Sequence, residues 1–403
     1  MHDQYFILNS EIYTQYNDSS ALFYNVQTGE NVVVTFIDTS FEIIKTLCNK
    51  QCLYVKGNSA YSDGVTKLLD ELCNRMFGCY MAHDYFEKKP FLSKTKLKIM
   101  GAFSGKYVEV KSDWLNVLDY LTEISIYLNS YEINNSKMVP YLYKQVISPS
   151  SLESNNQLDI DLLLNFLRNL AHRPINVNFL GGSLFEYNNY DMLCDFLLND
   201  NYQFWAIFHI MASEQAFYKN LNTFFKKIKI VLHYIISDDY SIVPMIMNAR
   251  IVFIVQDETD LKEVEKFVSN NNVNDYVIKP VYNMHNADFF RNNVFITEED
   301  ILSEIHDWRN IHRNLSVNDN YFGKLFILND GKVFDDINGR GIGCIKENNI
   351  KHLVVKALNN KSSWFKTRTK IDKCNKCLYK YLCPPLSNYE TVLGISNMCH
   401  VKA

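Results

Sequence analysis

Hydrophobic and polar residues alternate along the first N-terminal stretches and then recur at helical spacing along the stretches that follow. Alternation is typical of half-buried strands, and recurrence at every third or fourth position is typical of amphipathic helices. The pattern predicts strands within Tyr5–Tyr16, Ala21–Thr35 and Leu53–Lys56, and helices over Phe41–Cys48 and Asp63–Gly78. This order predicts a small winged-helix-like unit, built around a β-meander.

Between Thr95 and Asn310, short apolar strands alternate with helical segments, which is typical of βα units and a parallel sheet. Two of these helical segments, Asp159–Leu170 and Asp260–Val268, are amphipathic. Such repeated units predict an α/β fold with a partial (β/α)6 TIM-like barrel, whose ligand sites lie at the carboxyl-terminal ends of the strands. The predicted strands are Ile124–Asn129, Ile175–Leu180, Gln203–Ile210, Lys229–Ile236, Arg250–Val255 and Asp275–Pro280.

The last part of the chain has a different pattern. Lys324–Leu328 and Lys332–Phe334 flank Asn329–Gly331, which predicts a β-hairpin. A glycine-containing loop then leads to a helical segment and a cluster of cysteines. The three predicted domains are 1–87, 88–312 and 313–403.

Composition excludes several classes of protein. The chain has 403 residues, 47% hydrophobic and 21% charged, with only 14 Gly and 8 Pro, so disordered and collagen-like chains are excluded. The net charge of -4 gives no excess positive charge to attract nucleic acid or an anionic membrane. The start has no secretion signal, and no apolar run reaches the ~20 residues of a membrane span. We expect a cytoplasmic protein with no membrane and no nucleic-acid partner.

The strongest chemical signal is a series of four cysteines near the C-terminus, Cys374, Cys377, Cys383 and Cys399. Two thiolates on one tight turn can bind one soft metal or one corner of a cluster, and the later pair can complete a four-sulfur site. The spacing fits structural zinc or an iron–sulfur cluster and does not choose between them. The other six of the ten cysteines are scattered and are interpreted as isolated thiols, most of them buried. His400 is interpreted as a surface histidine.

Other titratable residues have plainer interpretations. His209 and His233 fall in predicted strands, and we interpret His233 as a hydrogen-bonded core residue. The acidic pairs at 238–239 and 257–258 fall at the expected ligand face, where they could bind a cation or a basic peptide. Loop solvation and helix N-capping explain them more simply. The sequence contains no P-loop, no nucleophile elbow and no HExxH zinc motif.

The C-terminal residues resemble a known extension. Segments 331–334 and 341–343, together with the clustered cysteines, resemble the SPASM/twitch extension of radical S-adenosylmethionine (SAM) enzymes. In that family a Cys-x2-Cys-x5-Cys-x3-Cys run and one distant cysteine contribute to two auxiliary clusters. Here Ser387 stands at the x3 position, and Cys344 is alone where the inner cluster needs paired ligands. The resemblance therefore implies one 4Fe-4S cluster, with zinc as the alternative. Its implied ligands are Cys374, Cys377, Cys383 and Cys399.

The barrel resembles the same family but lacks its catalytic cysteines. Radical SAM enzymes carry Cys-x3-Cys-x2-Cys after the first strand, and these thiolates bind the cluster that holds SAM. The matching positions here are Tyr131, Asn135 and Met138, none of which supplies a thiolate. The resemblance implies that this cluster is lost.

The segment Gly181-Gly182-Ser183 resembles the Gly-Gly-Glu segment that ends the second strand of those barrels and binds the methionyl amine of SAM. Ser183 stands at the glutamate position, which removes the carboxylate that a buried ammonium requires. A tight strand-to-loop turn is the plainer interpretation of the paired glycines. Together with the missing thiolates, the substitution implies that no SAM is bound.

The N-terminal unit resembles the recognition element of ribosomally synthesised and modified peptide pathways, which binds the leader of a precursor peptide along a sheet edge. Asn31–Phe36 and Leu53–Lys56 are the candidate edge strands. An N-terminal cap for the next domain is the alternative.

Over nearly the whole chain, the resemblance is to pseudo-radical-SAM proteins of peptide natural-product pathways. It implies a catalytically degenerate accessory protein that binds a precursor peptide, a partner radical SAM maturase, or both. The alternatives are an active enzyme or electron-transfer protein that uses the C-terminal cluster, and a scaffold stabilised by zinc.

Overall fold

The structure is a computed structural model, and it describes most of the chain in separate segments. The described residues are 3–36, 40–56, 61–85, 116–130, 142–199, 201–212, 228–235, 249–271, 273–359 and 363–401. The sequence-predicted positions Tyr131, Asn135 and Met138 and the acidic pair at 238–239 lie outside them.

Two small antiparallel sheets form the N-terminal part. One has the order β5-β1-β6 and the other is the meander β2-β3-β4. The strands are β1 (Gln4–Leu8), β2 (Ile12–Tyr16), β3 (Ser20–Asn25), β4 (Asn31–Thr35), β5 (Cys52–Val55) and β6 (Gly78–Ala82). The helices between them are α1 (Phe41–Lys50) and α2 (Asp63–Asn74).

This arrangement corrects two predictions from the pattern. The stretch Tyr5–Tyr16 contributes β1 and β2 to different sheets, because alternation shows which face a residue takes but not which strand it pairs with. The second predicted helix ends at Asn74, after which Met76 adopts a φ of 60° and β6 begins. At Gly78, a Cβ would lie 2.6 Å from the Ile7 carbonyl oxygen, so only glycine allows β6 to approach β1 here.

The meander is covered on both faces. Ala21 and Phe23 of β3 pack with the helices α1 and α2, whereas Leu22 and Tyr24 pack against residues from the C-terminal part of the chain. The backbone N–H of His306 donates to the Tyr24 hydroxyl over 2.8 Å. The first and last parts of the chain therefore share an apolar interface.

The large sheet begins with six consecutive parallel strands, all of them predicted from the sequence. The α/β class and the large parallel sheet are thereby confirmed. The strands are β7 (Glu123–Tyr127), β8 (Asn176–Leu180), β9 (Trp205–Met211), β10 (Ile228–Ile235), β11 (Arg250–Val255) and β12 (Tyr276–Pro280). Along each strand, the side chains point alternately to an outer face covered by helices and to an inner face.

The predicted C-terminal hairpin forms, and it extends this same sheet. Its strands β13 (Lys324–Ile327) and β14 (Lys332–Phe334) are antiparallel, and β13 pairs in parallel with β7. The short β15 (Gly343–Cys344) completes the order β12-β11-β10-β9-β8-β7-β13-β14-β15 among the described strands. Segments on both sides of the predicted boundary at 313 therefore contribute strands to the same sheet.

The remaining helices cover the sheet and carry the C-terminal residues. They are α3 (Leu142–Gln145), α4 (Ile160–Leu170), α5 (Tyr190–Asn199), α6 (Glu258–Asn271), α7 (Ala287–Asn293), α8 (Glu298–Leu302), α9 (Trp308–Ser316), α10 (Ile350–Asn359), α11 (Asp372–Asn375) and α12 (Asn388–Val392). The Asp257 carboxylate accepts from the backbone N–H of Thr259 and of Asp260, as expected of an N-cap. None of the helices that the structure describes combines the length and apolar composition of a membrane span.

Candidate functional site

The four C-terminal cysteines line one cavity of about 290 Å³, which we call the cysteine cavity. Cys374 lies on α11, and the backbone N–H of Cys377 donates to the Cys374 carbonyl over 3.0 Å. The backbone N–H of Cys383 donates to the Tyr379 carbonyl over 2.7 Å. Cys399 is held by the pairing of the tail with Ile296, which donates to Met398 over 3.0 Å and accepts from His400 over 2.9 Å. Local turns and one tail contact thus bring together residues that the sequence spreads over 26 positions.

The packing beneath the cavity fixes the cysteine segment. Leu378, Tyr379 and Leu382 are buried against Leu22 and Tyr24 of β3, with Cys377 and Cys383 at the edge of the same cluster. An asparagine side chain, Asn314, also donates to the carbonyl of Tyr381 over 3.0 Å. The backbone between the second and third cysteines is therefore anchored on both sides.

Burial makes three of these thiols, those of Cys374, Cys377 and Cys383, weaker acids by raising their pKa. It raises the pKa of Cys383 to about 12, and the neighbouring cysteines raise it further while Arg368 opposes the shift. Burial also raises the pKa of Cys374 and of Cys377. Such thiols remain protonated at neutral pH unless a cation replaces the protons, as a bound metal does.

The charged lining suits a group with thiolate ligands. Arg368 lies buried beside Cys374 and Cys383, where it forms an ion pair with Glu390 and donates through Nε to the Pro384 carbonyl over 2.9 Å. Four cationic side chains and one carboxylate line the cavity, namely Arg368, Lys373, Lys376, Lys380 and Asp372. A zinc ion or an iron–sulfur cluster with four thiolate ligands carries net negative charge, which this excess of cations balances.

By its chemistry, a set of four thiols suits either group, although their spacing in the structure is not that of a site already closed around one ion. Within the described segments, no three cysteine, histidine or acidic side chains are close enough together to hold a single metal ion. The Asn397 side chain adds a polar group at the cavity: its Nδ2 lies 3.7 Å from the Cys399 sulfur, and its Oδ1 is buried without a partner. His400 lies at the surface, where its Nε2 is 2.8 Å from the Arg291 carbonyl oxygen.

The predicted SAM-facing segment has a different environment. Its backbone groups are paired with the Asn129 side chain, which follows β7: the Gly182 N–H donates to Oδ1 over 3.0 Å, and Nδ2 donates to the Ser183 carbonyl over 2.6 Å. The Gly181 carbonyl accepts from the Ser150 N–H over 2.8 Å. A Cβ at Gly181 would lie 2.0 Å from the Asn129 Oδ1, so the glycine is required by this contact. The segment is buried and satisfied by the chain itself.

Apolar side chains fill the carboxyl-terminal end of the sheet, which we call the barrel mouth. Its inward-facing residues belong to two buried clusters that the segment 142–152 covers. The strand residues are Tyr127, Leu180, Met211 and Ile254, and the covering residues are Leu142, Tyr143, Val146 and Leu152. These side chains lie beside the segment to which the resemblance assigns SAM, and they include no carboxylate for its amine; the Tyr127 hydroxyl among them is buried without a partner.

Sequence reasoning missed two residues that shape these sites. Asn129 lies within a predicted strand and Arg368 in a basic stretch, and neither has a motif that marks it. Their roles depend on pairing: β7 and β8 align Tyr127 with Leu180, which places Asn129 beside Gly182. No sequence signal other than proximity to the motif residues could have found them.

No protein-family model and no curated protein matches the chain. Several solved structures align with it at low identity. Streptococcus suis SuiB bound to precursor peptide SuiA aligns with a TM-score of 0.40 and 11% identity, covering 98% of this chain and 99% of that chain. SuiB bound to S-adenosylmethionine gives 0.38 and 11% over the same shares. Polyhistidine-tagged anSMEcpe with bound AdoMet gives 0.44 and 13%, covering 65% of this chain and 84% of that chain.

Proposed function

We propose that this chain is a catalytically degenerate radical-SAM-like protein that acts in peptide maturation by binding rather than by radical chemistry. The observation that carries the proposal is the barrel mouth. Asn129 pairs with the backbone of Gly182 and Ser183, and apolar side chains fill the adjoining space. SAM could bind there only by displacing buried, hydrogen-bonded groups, which is costly. The absence of thiolates at Tyr131, Asn135 and Met138 supports the same conclusion.

A SAM titration tests this part of the proposal. We expect no saturable heat when SAM is added to the anaerobically purified full chain at micromolar concentrations. A matched titration with an intact radical SAM enzyme shows that the assay detects binding. Saturable binding by this chain, or cleavage of SAM under reducing conditions, would overturn the proposal.

The N-terminal part supplies the proposed peptide site. Among the described strands, β4 and β5 each pair on one side only, so both are sheet edges on which an extended peptide could add a strand. The Tyr61 hydroxyl donates to the Tyr54 carbonyl on β5, which occupies part of that edge. On β4, Val33 is 44% exposed and presents an apolar side chain beside the edge. We therefore assign the leader of a precursor peptide to β4.

A pair of edge variants tests the assignment. The probe is the leader of the short precursor peptide encoded nearest this gene, labelled with a fluorophore. Val33→Asp places a charge beside β4 and is expected to weaken binding at least about tenfold, because an apolar contact is replaced by a buried charge. Tyr54→Asp makes a similar change on β5 and is expected to leave the affinity unchanged. If Tyr54→Asp weakens binding and Val33→Asp does not, the peptide site is on β5. If the wild-type chain does not bind the leader, the proposed peptide site is refuted.

We assign one 4Fe-4S cluster to the cysteine cavity, with Cys374, Cys377, Cys383 and Cys399 as its ligands. A cluster would give the cavity a redox-active centre, and the protein's part is to hold four thiolates and balance their charge. A single zinc ion requires four sulfurs at about 2.3 Å from one point, whereas a cluster binds each thiolate at a separate corner. The assignment of a cluster rests on the resemblance, and the shared cavity of the four cysteines is consistent with it. Metal and sulfide analysis of the anaerobically purified chain tests this assignment. Iron with sulfide and visible absorption supports the cluster, whereas one zinc ion per chain supports the scaffold alternative.

A further inference from the structure

A second cavity, of about 470 Å³, lies within the curve of the large sheet. Its wall includes the first residues of β7, β8, β11 and β13, namely Glu123, Asn176, Arg250 and Lys324. This inner cavity therefore reaches the amino-terminal ends of the strands, opposite the end at which (β/α) barrels bind their ligands. Its volume is that of a small-molecule site.

A chain of hydrogen bonds crosses the wall of the inner cavity over four adjacent strands. Asn178 donates through Nδ2 to the Glu123 carboxylate over 3.2 Å and to the Ser125 hydroxyl over 3.3 Å. The Asn178 Oδ1 lies 3.0 Å from Nε2 of His209. Nδ1 of His209 lies 2.9 Å from Nε2 of His233. Both histidines are buried, and both line the cavity.

The carboxylate at one end of this chain sets the proton positions along it. Glu123 only accepts, so the amide nitrogen of Asn178 faces it and the amide oxygen faces His209. The Nε2 of His209 must then carry the proton, which leaves its Nδ1 as an acceptor. His233 must therefore donate from Nε2, and a neutral imidazole then has an unprotonated Nδ1.

That last nitrogen has no partner. Nδ1 of His233 is buried and forms no hydrogen bond, although the rest of the chain of hydrogen bonds is fully paired. The residue that pairs with His233 on β11 is Val252, whose side chain has no donor. Burial lowers the pKa of His233 well below its usual value, so the nitrogen does not resolve the deficit by taking up a proton. The lone pair is available to a donor brought by a ligand.

The charges around the inner cavity identify the other end of that ligand. Three cations and one carboxylate line it, and the carboxylate is Glu123, which already accepts from Asn178. Arg250 is paired with Asp275 over 2.9 Å. Within the described part of the chain, Lys279 and Lys324 form no ion pair, and the charge of Lys324 helps burial to lower the pKa of Lys279. Two ammonium groups that repel one another favour an anion between them.

We propose that the inner cavity binds a small organic acid that also carries a hydroxyl or ammonium donor. The acid group is held by Lys279 and Lys324, and the donor bonds to Nδ1 of His233. The site is separate from the Asn129 pairing on which the proposed loss of SAM binding rests, because Asn129, Gly182 and Ser183 do not line the inner cavity.

Calorimetry on the full chain tests the site with three defined probes. L-malate and L-glutamate carry an acid and a donor, whereas succinate is the diacid that lacks the malate hydroxyl. We expect saturable binding of malate or glutamate. Succinate should bind at least about tenfold more weakly than malate, because it leaves the buried acceptor Nδ1 of His233 without a donor. Failure of both donor-bearing acids to bind, or equal affinity for malate and succinate, overturns the proposal.

Matched variants locate the binding. Lys279→Met removes one ammonium group and keeps most of the aliphatic side chain. We expect this variant to bind the same acid with about tenfold lower affinity. Lys229→Met is the control, because Lys229 lies on β10 outside the cavity, over the Trp205 ring. In ¹⁵N-histidine spectra, the ring nitrogen of His233 is expected to shift on binding, while both rings keep the neutral Nε2–H form. Equal weakening by the two lysine variants, or no histidine shift, refutes the site.

Discussion

The barrel mouth and the cysteine cavity are the two places where the sequence resemblance puts an inorganic centre, and their polar groups have different partners. At the mouth, the backbone of Gly182 and Ser183 is paired with Asn129, within apolar packing, although the Tyr127 hydroxyl is buried without a partner. In the cysteine cavity, four thiols share one space with an excess of cations.

The difference bears on the proposal that one site is lost while its neighbour is kept. At the mouth, apolar side chains on the strands can pack together, so they could take the place of a metal centre. The cysteine segment lies between the N-terminal meander and the tail, and its buried, weakly acidic thiols have no comparable substitute. The proposed tail centre would add to a contact that already joins the first and last parts of the chain.

The largest expected effect comes from removing a cysteine ligand. Cys377→Ser and Cys399→Ser are each expected to lose most of the bound metal and to lower the thermal midpoint. Structural zinc sites in small domains contribute roughly 10–16 kcal/mol of apparent binding free energy, so even a fraction of this is a large loss. Metal content per chain and a thermal scan measure both effects.

The exposed Cys79 on β6 provides the control. Cys79→Ser is expected to keep the metal content and the thermal midpoint of the wild type. If all three variants keep their metal, the cysteine cavity is not the site and the contrast with the mouth fails.

A smaller effect is expected from crowding the barrel mouth. Gly181→Ala would place a methyl group 2.0 Å from the Asn129 Oδ1. Displacing that side chain should lower the free energy of unfolding by about 1–3 kcal/mol. Asn129→Ala alone leaves Gly182 and Ser183 without partners and should cost a similar amount, but the double variant should cost less than the sum.

Gly64→Ala is the matched glycine control. Gly64 lies on α2, and nothing lies within 4 Å of a Cβ built there. This variant is expected to gain about 0.4–1 kcal/mol through the unfolded state. Additive costs for Gly181→Ala and Asn129→Ala in urea unfolding would show that the Asn129 side chain does not pair with the backbone of Gly182 and Ser183.

The sequence predicts the parallel sheet well, for a physical reason. Buried strands are apolar runs bounded by polar turns, and Arg250–Val255 has the predicted limits in the structure. The pattern does not contain strand pairing, which is why β1 and β2 fall in different sheets and β6 was missed. The packing of Tyr24 against the C-terminal part likewise depends on contacts between residues nearly 300 positions apart.

The candidate sites divide in the same way. Cysteine spacing predicts that four thiols meet, and the structure brings them to one cavity. Local turns place Cys374, Cys377 and Cys383, whereas Cys399 is placed by the pairing of the tail with Ile296. The assignment of Asn129 to the Gly-Gly turn and the spare nitrogen of His233 depend on register across strands, which no local motif contains. The interpretation of His233 as a hydrogen-bonded core residue describes one of its ring nitrogens but not the other.

The smallest expected effect is a pH dependence that belongs to the barrel and not to the cysteine cavity. Burial lowers the pKa of His209 to about 3 and that of His233 well below its usual value. The folded chain keeps both rings neutral, whereas the unfolded chain takes up protons below about pH 6.5, so stability is full above that pH and falls as the pH drops. Each histidine contributes a slope of at most about 1.4 kcal/mol per pH unit. His209→Gln should reduce the dependence of the urea midpoint on pH between about pH 6.5 and 5. A dependence equal to that of the wild type would show that the buried pair is not neutral in the folded state.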